Sequence, residues 1–204
     1  MKPQSRRDYE RGRMADAAKS FAAHVIVART ESLWTLRAPT RAGGFGAVTV
    51  GALQGHLVVV GDCNTCVFGG GSYSAPRDLV QWIGHHGDLN YVRGKAGLGM
   101  DDSGGKIVEE IDADVAVYDL QELLEQYSEE GERHADACDA LRKAIKRVAG
   151  AMDDEIRELR TDLYGTIESE SAFSVGEVTA SRVIVAHAVV ARLWSLLSEE
   201  GETK

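Results

Sequence analysis

The sequence predicts an α+β protein: a small antiparallel sheet of three to five strands, helices packed on it, and a C-terminal helical half. Three observations lead there. From His24 to Phe68, short runs of β-branched and alternating residues are punctuated by glycine, proline and Asx turns. Beyond Pro76 the apolar spacing changes from two to three and four. The connections between the early runs are short, and a parallel crossover needs about a dozen residues or more, so these strands pair antiparallel.

In chain order, Met14, Ala17, Ala18 and Phe21 share a helical face, so a helix is expected over about Asp8–Ala23. HVIVART begins the strand region. In SLWTLRAP, Leu33, Thr35 and Arg37 face one way and Trp34 and Leu36 the other, and Pro39 ends the run. A turn at Thr40–Gly44 leads to FGAVTVGAL, where Val48 and Val50 oppose Phe45, Ala47, Thr49 and Gly51. HLVVVGD is continuously apolar and is expected to be a central strand buried on both faces, with CVFGG returning beside it.

Ser74 or Asp78 caps the next helix, which carries Leu79, Trp82 and Ile83 on its apolar face and ends at Gly84. A short helix starts at the N-cap Asp88 and is weakened by Gly94, Gly97 and Gly99. Asp101–Gly105 is a loop and the expected boundary between an N-terminal region, 1–100, and an acidic helical region, 101–204, unless the two form one continuous domain. Ile107–Tyr127 is helical along Val117, Leu120, Leu124 and Tyr127. Cys138, Leu141, Ile145, Val148, Met152, Ile156, Leu159 and Leu163 form the strongest stripe in the chain, about seven turns long. A loop at Ser169–Gly176 precedes a last helix over Glu177–Ser198. The long stripe packs either with Ile107–Tyr127 and Glu177–Ser198 as a three-helix layer or against a second copy in a homodimer.

Composition narrows the function. The 204 residues are 44% hydrophobic and 27% charged with a net charge of −9, which excludes a whole-surface nucleic-acid binder. Charge is uneven: MKPQSRRDYERGR is basic and Asp101–Glu170 strongly acidic. Arg6, Arg7, Arg11 and Arg13 form a tail rather than a nucleic-acid arm, because Asp8 and Glu10 dilute it. An acidic surface can dock a basic partner, and the candidate residues are Glu109, Glu110, Asp112, Glu129, Glu130, Asp153, Asp154 and Glu155. Three cysteines and a charged start without an apolar signal core point to a reducing cytoplasm. The most apolar run, Val183–Leu197, is interrupted by His187 and Arg192, so no membrane span is expected.

Cys63-Asn-Thr-Cys66 is the sharpest motif. Paired thiolates chelate zinc or cycle as a dithiol, and His85 and His86 would have to complete a zinc set. Adjacent histidines project apart, and a redox pair belongs at a helix N-terminus, so a hairpin turn supplied by Asp62 and Asn64 is preferred and no cofactor is expected. The glycines of RAGGFGAVTVG and FGGGSY lack the Lys-Ser/Thr of a phosphate loop. Asp62, Asp78, His56, His85 and His86 are the only candidate acid–base group, with no pairing signal. His187, on the apolar stripe of the last helix, reads as a core histidine bonded to a carbonyl, and Trp34, Trp82 and Trp194 as core anchors.

SLWTLRAPTRAGGFGAVTV, GHLVVVGDCNTCVFGG, DLVQWIG and DLNYVRGKAGLGM together resemble a family of uncharacterised bacteriophage and prophage accessory proteins. The shared pattern is a Trp strand followed by Pro, an apolar strand ending in Gly-Asp, a Trp helix and a Tyr-x-x-x-Lys helix. Here these positions are Trp34, Pro39, Gly61, Asp62, Trp82, Tyr91 and Lys95. The resemblance spans Ser32–Met100, half the chain; it implies no activity, and Cys63 and Cys66 are not in the pattern. The expected function is a phage-encoded factor in the host cytoplasm that binds a host protein, in the manner of an anti-defence inhibitor whose acidic surface imitates nucleic acid. The alternative is a small metal- or ligand-binding enzyme domain built on Asp62, Cys63, Cys66 and the nearby histidines.

Overall fold

The strands form over the β-branched and alternating runs. A computed structural model describes residues 5–39, 46–61, 65–69, 75–96, 109–129, 134–167 and 170–202. After helix α1 (Arg6–Phe21) come β1 (Val25–Arg29), β2 (Leu33–Arg37), β3 (Ala47–Leu53), β4 (His56–Gly61) and β5 (Cys66–Phe68). They make one antiparallel sheet in the order β1-β2-β3-β4-β5. The α+β class is as the sequence predicts. The turns at Thr40–Gly44 and Asp62–Asn64, the glycines 70–71 and the Asp101–Gly105 boundary lie outside the described residues.

Register puts the large side chains in rows. Trp34 pairs with Val50, Val50 with Val59 and Val59 with Cys66, and Leu36 pairs with Val48. All of these are buried. The alternate residues Leu33, Leu53 and Val60 are exposed. β4 is therefore buried on one face only, not on both. Leu57 and Val59 are covered by helices, and Val60 on the opposite side is open. A continuous apolar run does not reveal how many layers cover a sheet. Gly61 closes β4 where Ala47 of β3 crowds it: its φ is +148° and an added Cβ would lie 2.5 Å from the Ala47 carbonyl oxygen. Only glycine fits there.

Helices α2 (Pro76–His85) and α3 (Leu89–Lys95) follow. Pro76 sits in the first turn of α2, and Asp88 caps α3 by accepting from the Asn90 amide. Then come β6 (Glu109–Ile111), α4 (Ala113–Glu129), α5 (Ala135–Val148), α6 (Asp153–Ile167), a 3-10 turn (Glu170–Ser174), β7 (Glu177–Thr179) and α7 (Ser181–Glu202). The seven-turn stripe is thus two helices. Gly150, at φ +85°, ends α5 in the left-handed region, and Met152 is left exposed between α5 and α6.

The chain divides into two compact units, each made of two segments: Met1–Glu10 with Glu109–Val178, and Arg11–Val108 with Thr179–Lys204. A cut near residue 100 misses this because α7 belongs with the sheet. In the sheet unit, Val183, Val190, Leu193 and Leu197 of α7 join Trp34, Leu36, Leu57, Phe68, Leu79 and Ile83 in one core. Burying each such side chain contributes about 1.5–3 kcal/mol. The helices of the expected three-helix layer fall in two different cores. α4, α5 and α6 close their own core, with Leu120, Leu141, Val148, Ile156, Leu159 and Leu163. By length and composition Ser181–Glu200 could cross a bilayer, but half of it is buried in the sheet-unit core.

Polar contacts lock α7. Arg13 donates to the Thr179 carbonyl at 2.9 Å and to the Ser181 hydroxyl at 2.6 Å. Arg192 donates to the His24 carbonyl, and Arg77 to that of Leu197. His187 is the core histidine the sequence suggests, its Nε2 3.1 Å from the Ile83 carbonyl. Gly84 lies inside α2, where it lets α7 approach. A Cβ there would sit 2.9 Å from both the Trp194 Cβ and the Val190 carbonyl oxygen.

Two outcomes follow. Gly→Ala inside a helix ordinarily stabilises by about 1 kcal/mol. At Gly94 of α3 nothing lies within 4 Å of the added Cβ, so Gly94→Ala should stabilise. Gly84→Ala should instead destabilise by about 1–2 kcal/mol through overpacking, measured by urea unfolding; equal effects at the two sites would refute the close crossing. Burial also pushes the His187 pKa below its ordinary 6.5, against the opposing bonds to the His86 and Ile83 carbonyls. The unfolded chain then takes up a proton near pH 6.5 that the folded chain resists. Stability is therefore complete above that pH and falls as pH drops through 6.5 and below. Melting temperature between pH 7 and 5 should decline less steeply for His187→Gln.

Candidate functional site

The helical unit carries the chain's acidic excess. Residues 109–178 hold twenty acids against seven Lys and Arg, while the rest of the chain holds twelve against sixteen. How those acids are used separates a site from a scaffold.

Several are committed to structure. Asp112 caps α4, its Oδ1 accepting from the amides of Asp114 and Val115 at 3.0 and 3.1 Å, and its Oδ2 accepts from the Tyr9 hydroxyl. Glu155 reaches back to the Met152 amide at 2.8 Å, as the acid of a capping box does. Asp153 and Asp154 lie beside it in the first turn of α6, where the helix dipole favours negative charge. Glu109 and Glu110 are half-buried on β6. Glu129 is exposed at the end of α4, and Glu130 lies outside the described residues.

Asp119 organises a knot. Its Oδ2 accepts from Arg6 at 2.6 Å and from the Gly176 amide at 2.8 Å, and Arg6 also donates to the Ser174 carbonyl. One carboxylate thereby ties the first turn of α1 and the 3-10 segment to α4. Arg160, 8% exposed, holds the same segment from α6 through the Val175 carbonyl at 2.7 Å. Burial lowers its pKa, with Glu177 opposing.

Beside the knot is an open cleft of about 360 Å³. Arg6 of α1, Tyr118, Asp119, Glu122, Leu123 and Gln126 of α4, and Ser171 and Ser174 of the 3-10 turn line it. The cleft opens beside a ridge on α4: Asp114, Tyr118, Glu122, Glu125 and Glu129 recur three and four residues apart and so share one face. Among the described residues, the carboxylates of Glu122, Glu125 and Glu129 have no hydrogen bond or ion pair. By contrast, Asp139 on α5 pairs with Arg142 and Asp162 on α6 with Arg147. The ridge field is visible at Tyr118, whose pKa is raised above 10.0, first by Glu122 and then by its own partial burial and by Asp119 and Glu125. The phenol stays protonated and neutral.

The other candidates scatter. Cys66 is 1% exposed in the sheet-unit core, a small apolar residue of the return strand. Its proposed partners Asp62 and Cys63 lie outside the described residues. His85 is exposed, and His86 stacks on Tyr91 with ring centroids 4.3 Å apart. Among the described residues no group of three or more His, Cys, Asp or Glu is placed to hold a metal. Trp34 is buried, as an anchor should be. Trp82 is only half-buried, edge-on to Tyr91 at 5.8 Å, with the Lys95 ammonium 5.6 and 5.5 Å from the two ring centroids. These three motif residues form a cation–π clasp between α2 and α3. Of the ridge the sequence singled out Glu129 alone, and it gave no sign of the cleft. The ridge signal was present as charges at helical spacing opposite Leu120, but the cleft also needs Arg6, more than a hundred residues away.

Comparison with family models, with curated proteins and with solved structures gave no match.

Removing the knot acid should cost more than removing an exposed one. Asp119→Ala strands the Arg6 charge and the Gly176 amide and should destabilise by about 2–3 kcal/mol, whereas Glu125→Ala should change stability by about 0.5 kcal/mol or less. Chemical unfolding measures both. Equal effects would show that the knot is not a structural centre.

Proposed function

We propose that this protein works by binding, with its acidic helical unit docking a basic partner. The partner is a host protein whose cationic groove ordinarily holds nucleic acid, and the chain is a phage-type accessory factor acting in the host-cell cytoplasm. One observation carries the reading: the like charges on α4 that have no partner among the described residues. Glu122 and Glu125, and Glu125 and Glu129, are neighbours at i,i+3 and i,i+4. Each such pair costs an isolated helix about 0.2–0.5 kcal/mol. The ridge lowers stability, while the acids that serve the fold sit at caps or in ion pairs.

Its dimensions suit the role. Asp114 to Glu129 spans about 22 Å at 1.5 Å per residue, and its four carboxylates fall about one per 7 Å. That is roughly half the charge density of one strand of a duplex, at one phosphate per 3.4 Å. A basic groove meeting this face would release counterions, so affinity should fall steeply with salt. The net charge of −9 disfavours direct contact with nucleic acid.

The test is fluorescence anisotropy with a twelve-residue Lys/Arg peptide at rising salt, beside pull-down from host lysate. Binding should be measurable at low salt and weaken at least tenfold in Glu122→Gln/Glu125→Gln/Glu129→Gln, which keeps every helix cap. Glu155→Gln should leave it unchanged. Unaltered binding by the triple variant, or none by the wild type at low salt, overturns the reading.

A further inference from the structure

We propose that the cleft beside α4 receives a single arginine side chain from the partner, making it the specific anchor within a broadly electrostatic interface. This rests on the docking reading above but makes a separate claim, that one pocket distinguishes arginine from other cations.

The lining chemistry leads there. Of its charged groups, Arg6 and Asp119 neutralise each other at 2.6 Å, and Arg6 is further held by the Ser174 carbonyl. What remains is the carboxylate of Glu122, exposed and without a partner among the described residues, beside the ring of Tyr118. An anion is disfavoured by that carboxylate. A purely apolar ligand would leave the Glu122 carboxylate without a counter-charge. A cation is required, and the form of the cleft selects which. A lysine ammonium is a compact charge that gains little from a flat aromatic wall. A guanidinium is planar, stacks on a tyrosine face and presents paired N–H donors that match a carboxylate. Gln126, one turn beyond Glu122, and the Ser171 hydroxyl supply further acceptors, and Leu123 gives the arginine stem an apolar contact.

The raised pKa of Tyr118 fits this arrangement, since Glu122 is its first cause and places negative potential at the ring where the guanidinium would lie. The cleft is large enough to admit one side chain and stays open to the flanking peptide. The walls come from α1, α4 and the 3-10 turn, all fixed by the Asp119 knot, so the site is formed before the ligand arrives.

The experiment uses the full chain and three blocked tripeptides, Gly-Arg-Gly, Gly-Lys-Gly and Gly-citrulline-Gly, followed by NMR of the tyrosine ring protons. Citrulline keeps the arginine shape without the charge. The arginine peptide should shift the Tyr118 resonances saturably, lysine should bind at least fivefold more weakly, and citrulline should give no saturable shift. Tyr118→Leu removes no charge: it should abolish the arginine preference, bringing the arginine peptide to the affinity of the lysine peptide. If arginine and lysine bind alike, or if Tyr118→Leu keeps the preference, the pocket is refuted while the acidic ridge stands. Failure of the twelve-residue basic peptide to bind at all would remove the docking reading itself. Circular dichroism of Tyr118→Leu confirms that loss of preference is not loss of fold.

Discussion

The sheet has one face to cover, and its cover arrives late in the chain. Trp34, Leu36, Val48, Val50, Leu57, Val59 and Phe68 line up on that face. α2 and α3 are too short to bury all of them. The missing layer is α7, held to α2 by contacts between residues more than a hundred positions apart, His187 with Ile83 and Arg77 with Leu197. A sheet that is apolar on one face must bury that face against another element. Closure by α7 is therefore the condition for the sheet unit, and Gly84 is the place where the approach is closest.

That condition shapes the rest of the chain. Whatever lies between α3 and α7 must leave the sheet unit and return to it. The helical unit does this as an insertion with its own core. Its two ends meet where the Asp112 amide donates to the Gly176 carbonyl at 2.8 Å. Insertions are tolerated when their ends are close and their core is self-contained. Polar ties then do locally what apolar burial does elsewhere. Asp119, Arg6 and Arg160 fix the 3-10 segment, a stretch with few large side chains of its own, to α4 and α6.

How much of this is legible in the sequence depends on whether the signal is local. Trp34 and Leu36 against Leu33 and Arg37, the cap Asp88, and His187 as a bonded core histidine can all be read from neighbouring residues. The break at Gly150 was masked by the apolar stripe that continues in phase on either side of it. The layer count at β4 and the membership of α7 are properties of the assembled molecule. An apolar helix has no mark that says which core it enters. The cleft is harder still, because Arg6 reads as part of a basic tail until the fold sets it against Asp119. Trp82 shows the opposite error: a tryptophan expected as an anchor is half outside, clasped by Lys95 and Tyr91.

Acid content alone would have pointed to the wrong residues. The densest acidic triplet, Asp153-Asp154-Glu155, sits where a helix start is stabilised by negative charge, and Glu155 is bonded to the backbone. Asp112 is spent on a cap and a tyrosine. These positions would be acidic in a protein that binds nothing. Glu122, Glu125 and Glu129 are different in kind: they lie mid-helix or at the helix C-terminal end, repel one another and satisfy no donor among the described residues. The dipole opposes Glu129 in particular, because the C-terminal end of a helix is already negative. Charges placed where helix energetics disfavour them do not serve the fold, which is what supports the proposed docking role. The apolar outer face of the sheet carries no comparable cost, since scattered exposed valines and leucines are ordinary on a protein surface. The ridge and its adjoining cleft are where local chemistry and local stability disagree.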